Sequence, residues 1–115
     1  MANTFKQISK AGVTSSDVIY TVAGSTTTVV LGLIIGNTQS SDITVTLTIS
    51  TDTSNRSGAN NEDNQPVELL TTTTIPTNSS LELLAGNKIV LETTDVINLT
   101  ASAAADISIS VMEIT

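Results

Sequence analysis

The sequence predicts an all-β domain: a two-sheet antiparallel β-sandwich of eight or nine short strands, for which a jelly roll is one arrangement. Leu, Ile and Val supply 32 residues, while Thr and Ser add 21 and 14, a composition that favours strands over helices. Apolar and polar residues alternate most regularly over residues 43–50, and no segment has a clear helical period. Turn signals recur about every 8–12 residues, as is typical of sandwiches and small barrels.

Four similar turn signals are each followed by a β-branched residue. They are Ser15-Ser16-Asp17-Val18, Ser40-Ser41-Asp42-Ile43, Thr93-Thr94-Asp95-Val96 and Ala104-Ala105-Asp106-Ile107. Their irregular spacing is not that of a solenoid repeat. Because Asp and Ser bond nearby backbone groups in turns, we expect each aspartate to accept a backbone hydrogen bond just before its strand.

The alternation and the turn signals place nine strands in one domain spanning residues 1–115. They cover residues 4–10, 18–22, 26–36, 42–51, 67–75, 81–84, 88–92, 96–102 and 106–115. Gly86-Asn87 predicts a hairpin between the strands at 81–84 and 88–92. In the last strand Met112 and Ile114 fall on the face opposite Ile107, which predicts a bulge or burial of both faces.

The strand at 26–36 differs from the others because its apolar run from residue 29 to residue 35 offers both faces to burial. In a two-layer domain one face meets the core, so the other needs a second subunit or a covering loop. The core contains few aromatic residues, and burial against other copies would add stability. We therefore predict a homo-oligomer interface at Val29, Leu31, Leu33 and Ile35.

Residues 52–66 form a polar stretch without apolar periodicity and predict a long surface loop, a kind of segment that often has a function. We expect its partner contacts at Asp52, Asn55, Arg56, Asn60, Glu62 and Asp63. The carboxylate and amide side chains of the loop lack the spacing of an EF-hand, so a solvated loop is the simpler interpretation. Binding of calcium, a glycan or a neighbouring subunit is left open.

The residue inventory argues against most kinds of chemistry. The chain has no His and no Cys, which removes the common nucleophile-base pairs, the usual zinc ligands and disulfides. Its only aromatic residues are Phe5 and Tyr20, too few for a platform that stacks sugars or bases. We predict that the protein is not an enzyme and that it has no catalytic residue, cofactor or metal.

The charge and hydropathy of the chain restrict its partners. A net charge of −7 disfavours nucleic acids and anionic membranes, because binding to phosphates depends on Lys and Arg. The acidity provides solubility, with docking onto a basic protein surface as the sharper alternative. The apolar run at 29–35 is too short to span a bilayer, and no signal peptide is visible. We therefore expect no nucleic-acid or membrane partner, and synthesis in a cytoplasm.

Two stretches of the chain resemble small virion proteins of tailed bacteriophages, most closely those of marine and freshwater cyanophages. The first, residues 18–37, reads Val-Ile-Tyr-Thr-Val-Ala-Gly-Ser-Thr-Thr-Thr-Val-Val-Leu-Gly-Leu-Ile-Ile-Gly-Asn. The second, residues 75–97, contains Ser-Leu-Glu-Leu-Leu-Ala-Gly-Asn-Lys-Ile-Val-Leu. The resemblance covers about half of the chain and leaves out the polar loop. It implies a β-sandwich subunit of a phage particle, without catalysis or a cofactor, and it transfers no functional residue.

Three functions follow as expectations. The leading one is a capsid decoration or cement protein in the virion, which forms oligomers such as trimers and binds the major capsid protein shell. The second is a neck, collar, tail or fibre-associated virion subunit that contacts other virion proteins. The third, from a different class, is a carbohydrate or host-receptor binding module that uses the loop at 52–66.

Overall fold

The computed structural model describes residues 2–51, 66–84 and 87–115, and within them every regular element is a β-strand. The all-β prediction is confirmed. The strands are β1 (Asn3–Thr21), β2 (Thr27–Asn37), β3 (Ile43–Ser50), β4 (Pro66–Ile75), β5 (Ser80–Glu82), β6 (Ile89–Leu91) and β7 (Val96–Ile114). All pairings are antiparallel and join these seven strands into one curled sheet.

The seven described strands differ from the nine predicted because the first and last strands are long. β1 and β7 pair from Asn3 opposite Ile114 to Thr21 opposite Val96, so four predicted strands merge into two. The predicted breaks are present as register shifts between Lys10 and Val13 and between Val13 and Ser15. Gly12 (φ 68°) and Ser15 (φ 41°) take left-handed backbone conformations there. Such irregularities bend a strand pair without ending it.

The long β1–β7 pair connects two halves of the sheet. In the β3 half, residues 96–101 of β7 pair with β3, and β3 pairs with β4 at the edge. In the β2 half, residues 105–114 of β7 pair with β2, whose far side pairs with β5 and β6. Each half also contains the part of β1 that lies beside its segment of β7.

The hairpin predicted around Gly86-Asn87 is wrong. β5 pairs with residues 34–36 of β2 and β6 with residues 28–30, both antiparallel to β2. The two short strands therefore run in the same direction, one after the other, along one edge of β2. Beyond β5, the Leu83 N–H donates to the Leu33 carbonyl at 3.0 Å. Pairing with β2 thus takes the place of the local pairing that the turn signal predicted.

One aliphatic core lies inside the curl and draws on both halves of the sheet. Its fully buried side chains include Leu33 and Ile109 from the β2 half and Leu47 and Leu99 from the β3 half. Each such side chain contributes about 1.5–3 kcal/mol on burial. The hydroxyl of Tyr20, which lies in the β3 half of β1, hydrogen-bonds across the core to Thr28 Oγ1 of β2 at 2.8 Å. The two halves therefore face each other.

The alternation predicted for the fourth strand is confirmed in β3. Ile43, Val45, Leu47 and Ile49 are buried, whereas the threonines and serine between them are half-buried. One face therefore contributes to the core, and the other forms part of the molecular surface.

The four aspartates of the repeated turn signal have two different structural roles. Asp42 and Asp95 directly precede β3 and β7, and their carboxylates accept hydrogen bonds from the backbone N–H groups of Thr77 (3.1 Å) and Glu92 (2.9 Å). For Asp95 the expected position and local hydrogen bond are confirmed. For Asp42 the position is confirmed, but its partner Thr77 is 35 residues away and not in the turn before β3. Asp17 and Asp106 lie inside β1 and β7, so the prediction that they begin strands is wrong.

Both interior aspartates bind groups close to the register shifts of the β1–β7 pair. Asp106 accepts a hydrogen bond from the Gly12 N–H at 3.0 Å, and Asp17 lies 3.4 Å from Lys10 Nζ. The same small-small-Asp signal therefore marks a strand start at two positions and an irregularity inside a strand at the other two.

Candidate functional site

The predicted interface residues of β2 separate into two groups. A register shift between Val30 and Gly32 changes the alternation of the strand, so residues two apart across it no longer share a face. Leu33 and Ile35 are 2 % and 0 % exposed and belong to the core, so their assignment to an oligomer interface is corrected. Val29 and Leu31 are half-buried and remain available as predicted contact residues on the outer side of β2.

An apolar row crosses four strands on the outer face of the β2 half. Phe5 of β1 lies opposite Met112 of β7, Met112 lies opposite Val29 of β2, and Val29 lies opposite Val90 of β6. Directly opposed residues project from the same face of a sheet. Phe5 is 71 % exposed and Val90 is 59 % exposed. We call these four residues the outer row; only Val29 was predicted from the sequence as a contact residue.

Small residues continue this face beyond the outer row. Gly32 lies opposite Ser110, and Gly36 lies opposite Asp106. A methyl group added at Gly32 would meet no atom within 4 Å, and φ at this residue is not positive. Neither backbone conformation nor packing within the described residues requires glycine there. The glycine instead leaves open space, in a shallow depression that Ser108 and Ser110 also line, where another molecule can approach the backbone closely.

A hollow of about 450 Å³ opens on the same face, next to the register shift of the β1–β7 pair. Its lining consists of Ser9, Lys10, Ala11, Ile34, Gly36, Asp106, Ile107 and Ser108. Ile34 is 46 % exposed, while Ser9 Oγ and Gln7 Nε2 both donate to Ser108 Oγ, at 3.2 and 3.0 Å. The hollow therefore combines an exposed aliphatic side chain with hydroxyls that are already hydrogen-bonded and with two charged residues, Lys10 and Asp106, whose charged groups bond the Val18 carbonyl oxygen and the Gly12 N–H.

The outer face of the β3 half has a different character. It carries Thr44, Thr46, Thr48 and Ser50 of β3, beside Asn98 and Thr100 of β7. The Ser16 hydroxyl donates to Asn98 Oδ1 at 2.9 Å, and Thr46 Oγ1 accepts the Thr72 N–H at 3.0 Å. This face is hydroxyl-rich, and the exposed apolar residues of the β3 half are Val18 of β1 and Val67 and Leu69 of β4. Val18 lies in a polar row with Asn98, Thr48 and Glu68. The apolar row across four strands therefore makes the β2 half the candidate interaction surface.

A polar network joins the ends of β1 and β7 to the core. The Tyr20 hydroxyl donates to Glu113 Oε2 at 2.6 Å, and Lys6 Nζ lies 2.8 Å from Glu113 Oε1. Burial, together with the hydrogen bond to Glu113, raises the pKa of Tyr20 to about 12. Hydrogen bonds from Lys6 and from Tyr20 lower the pKa of Glu113. Each polar group has a partner, so the arrangement indicates a structural role. In the sequence, Tyr20 stands out only as a rare aromatic residue.

The remaining sequence-based site predictions stay predictions. Asp52, Asn55, Arg56, Asn60, Glu62 and Asp63 lie outside the described residues. Within the described ranges, no group of three or more acidic side chains could hold a metal ion. The same part of the chain contains no helix long and apolar enough to cross a membrane.

Comparison with known proteins adds one likeness, and it concerns the fold. No family model matches the chain, and no curated protein matches it. The structure is similar to one from work on Bacillus endospore appendages, described as disulfide-linked pili, with a TM-score of 0.52 and 14 % sequence identity. The match covers 99 % of this chain and 87 % of the other. At that identity the likeness supports the β-rich fold alone.

Proposed function

We propose that this protein is a non-enzymatic structural subunit of a tailed-phage particle, most specifically a decoration or cement protein. In this role it associates with itself, as in a trimer, and binds the major capsid protein shell in the virion. The observation that carries the proposal is the exposed outer row, an apolar stripe across four strands of one face. Exposed apolar surface of this kind marks a contact with another macromolecule.

The chemistry of the chain supports a contact role over a catalytic one. It has no His or Cys, the side chains most often used as a general base or a nucleophile. The polar network at Tyr20 and Glu113 is satisfied by its own neighbours. The acidic charge of −7 suits docking onto a basic shell surface.

Binding to emptied phage shells tests the decoration role. Purified protein is mixed with shells that lack it, and bound copies are counted after sedimentation. Saturation at hundreds of copies per shell supports decoration, whereas a dozen or fewer copies indicate a neck, collar or tail position. No binding to shells or to tails would contradict both virion roles.

A fibre subunit is the second candidate, and the fold likeness is the observation that favours it. The similar structure belongs to disulfide-linked pili, but this chain has no Cys and any fibre would need non-covalent contacts. Electron microscopy of concentrated protein distinguishes the candidates, because an open head-to-tail interface gives filaments and a closed one gives discrete particles.

A further inference from the structure

We infer that the outer face of the β2 half binds a second copy of this chain, face to face about a two-fold axis, with Phe5 of each copy filling the hollow beside Gly36 of the other. This inference rests on the proposed structural role and specifies one contact that such a subunit makes. A two-fold contact requires one surface to carry both complementary features. Here Phe5 is the projecting feature and the hollow is the receiving one.

The positions of Phe5 and the hollow fit this symmetry. Phe5 and Ala11 lie six residues apart on β1, or about 20 Å at 3.3 Å per residue. A two-fold axis that lies in the interface, perpendicular to the strands and midway between these residues, exchanges their positions. It places Phe5 of one copy over Ala11 of its partner, at the β1 side of the hollow.

The surface between these two features allows a close approach. Gly32 and Ser110 lie opposite each other there, and a side chain at position 32 would project into open space. Packed sheets are about 10 Å apart when ordinary side chains interdigitate. Glycine and serine at the centre allow the two sheets to come closer, so the outer row of each copy can reach the hollow of the other. This accounts for a glycine that the described fold does not otherwise require.

Charge on this face permits a second copy, although each chain carries −7 overall. Asp106 lies at the end away from the outer row, where it accepts the Gly12 N–H. Glu82 of β5 lies opposite Ile34 at the edge of the sheet, so the two-fold axis brings the two Glu82 side chains near each other at the rim, where solvent and salt screen their repulsion. The part of the face around Gly32 and Ser110 is uncharged.

The area is sufficient for a reversible dimer. Three strands about 4.8 Å apart and nine residues long give roughly 14 by 30 Å, and β5 and β6, with three residues each, add about 100 Å², for roughly 520 Å² per copy. Two copies together bury on the order of 1,000 Å², the size of weak, reversible interfaces. We therefore expect a weak dimer that dissociates on dilution, which leaves the outer row free for the proposed shell contacts.

Sedimentation velocity of three variants at concentrations up to about 1 mM tests the inference. Phe5→Asp removes the projecting ring, and Gly32→Lys places a long side chain at the centre of the interface. Each is expected to weaken the dimer by at least about thirtyfold, the effect of losing a buried hot spot. Val18→Asp is the matched control on the opposite outer face and should leave the dimer unchanged. Thermal melts should be near wild type for all three, since these positions are exposed or border open space.

The inference is overturned if the wild-type protein stays monomeric at the highest concentration measured. It is also overturned if all three variants dimerise equally. The proposed function is judged separately, because shell binding is measured with the same proteins. Variants that do not dimerise but still bind shells support both claims. Loss of shell binding in every protein, with dimerisation intact, overturns the virion role alone.

Cross-linking tests the two-fold geometry itself. The chain has no Cys, so a single introduced thiol is unique in each copy and Phe5 can stay in place. The two-fold axis passes level with Ile8, midway between Phe5 and Ala11, so the two copies of Ser9 are offset by about 7 Å along the strands and the two copies of Asn3 by about 33 Å. The inference predicts that a short thiol cross-linker gives a linked dimer with Ser9→Cys and much less with Asn3→Cys. Equal linking of the two variants, or no linked product from Ser9→Cys, would overturn the two-fold arrangement.

Discussion

At the residue scale, Tyr20 joins the aliphatic core to the polar network at the end of β7. Its ring is 9 % exposed, and its hydroxyl contacts Thr28 and Glu113 from the opposite half of the sheet. Sequence composition identified the residue but not its partners, because Thr28 and Glu113 approach it only after the sheet curls. A contact between positions 20 and 113 leaves no local periodic signal.

The first prediction concerns alkaline pH. The pKa of Tyr20 is raised to about 12 in the folded state, against about 10 in an unfolded chain. Its contribution to stability is therefore complete below pH 10 and is lost as the pH rises through 12. Tyr20→Phe should lower the free energy of unfolding by about 1–3 kcal/mol at pH 8 and remove this part of the alkaline decline. Urea titrations at pH 8 and pH 11 measure both effects, and a parallel decline in variant and wild type would contradict the assignment.

The second prediction concerns acid. Hydrogen bonds from Lys6 and Tyr20 lower the pKa of Glu113, so its contribution is present above the unfolded pKa and is lost as the pH falls through the folded value. Glu113→Gln should be less stable than wild type at pH 7, and the difference should shrink on acidification below about pH 4, the range in which glutamate titrates. Thermal melts over this range check the trend. Glu68→Gln is a control on β4, away from this network.

At the element scale, the sequence predicted regular alternation better than its interruptions. β3 has an uninterrupted period of two, and its buried face was identified correctly. β2 appeared apolar on both faces because the shift between Val30 and Gly32 moves Leu33 to the same face as Val30. One extra residue in a strand reverses the face of the sheet on which every later residue lies, and composition gives no sign of it.

The irregularities of β1 and β2 give a prediction that compares two glycines. Gly12 has φ 68° and an unobstructed Cβ direction, so Gly12→Ala should cost about 1 kcal/mol through the backbone alone. Gly32 has no such φ and no neighbour within 4 Å of an added methyl, so Gly32→Ala should be neutral or stabilising by up to about 1 kcal/mol. Urea denaturation measures both; equal destabilisation would contradict the difference in backbone conformation.

The corrected face of β2 gives a second element-scale prediction. Leu33 is 2 % exposed, so Leu33→Ala should lower the free energy of unfolding of the monomer by about 2–5 kcal/mol. Thr48→Ala, on the half-buried outer side of β3, should change it by no more than about 0.5 kcal/mol. Measurement on dilute protein separates this effect from self-association. If Leu33→Ala prevents oligomer formation but leaves the stability of the monomer unchanged, the prediction that Leu33 lies in the interface is right after all.

At the scale of the whole molecule, the chain's first and last described strands form the spine of the fold. β1 and β7 pair along nearly their full lengths, and Ala2 and Thr115 exchange backbone hydrogen bonds of 3.3 and 3.0 Å. The sequence predicted strand content but not this pairing, because no local pattern in it specifies which distant strand pairs with a given strand. Such non-local pairing makes closure of the fold entropically costly and slows folding.

A circular permutant tests how far this topology limits the folding rate. Joining Thr115 to Ala2 through an Asn-Gly turn converts β7 and β1 into neighbours in sequence, and new ends can be opened at Ser40, in the turn between β2 and β3. The β1–β7 and β2–β7 pairings then become much more local, while β3–β7 is unchanged. We expect refolding to accelerate by about tenfold or more, in line with the dependence of rate on contact order. Stopped-flow refolding of both proteins measures the effect, and equal rates would show that the β1–β7 pairing forms after the rate-limiting step.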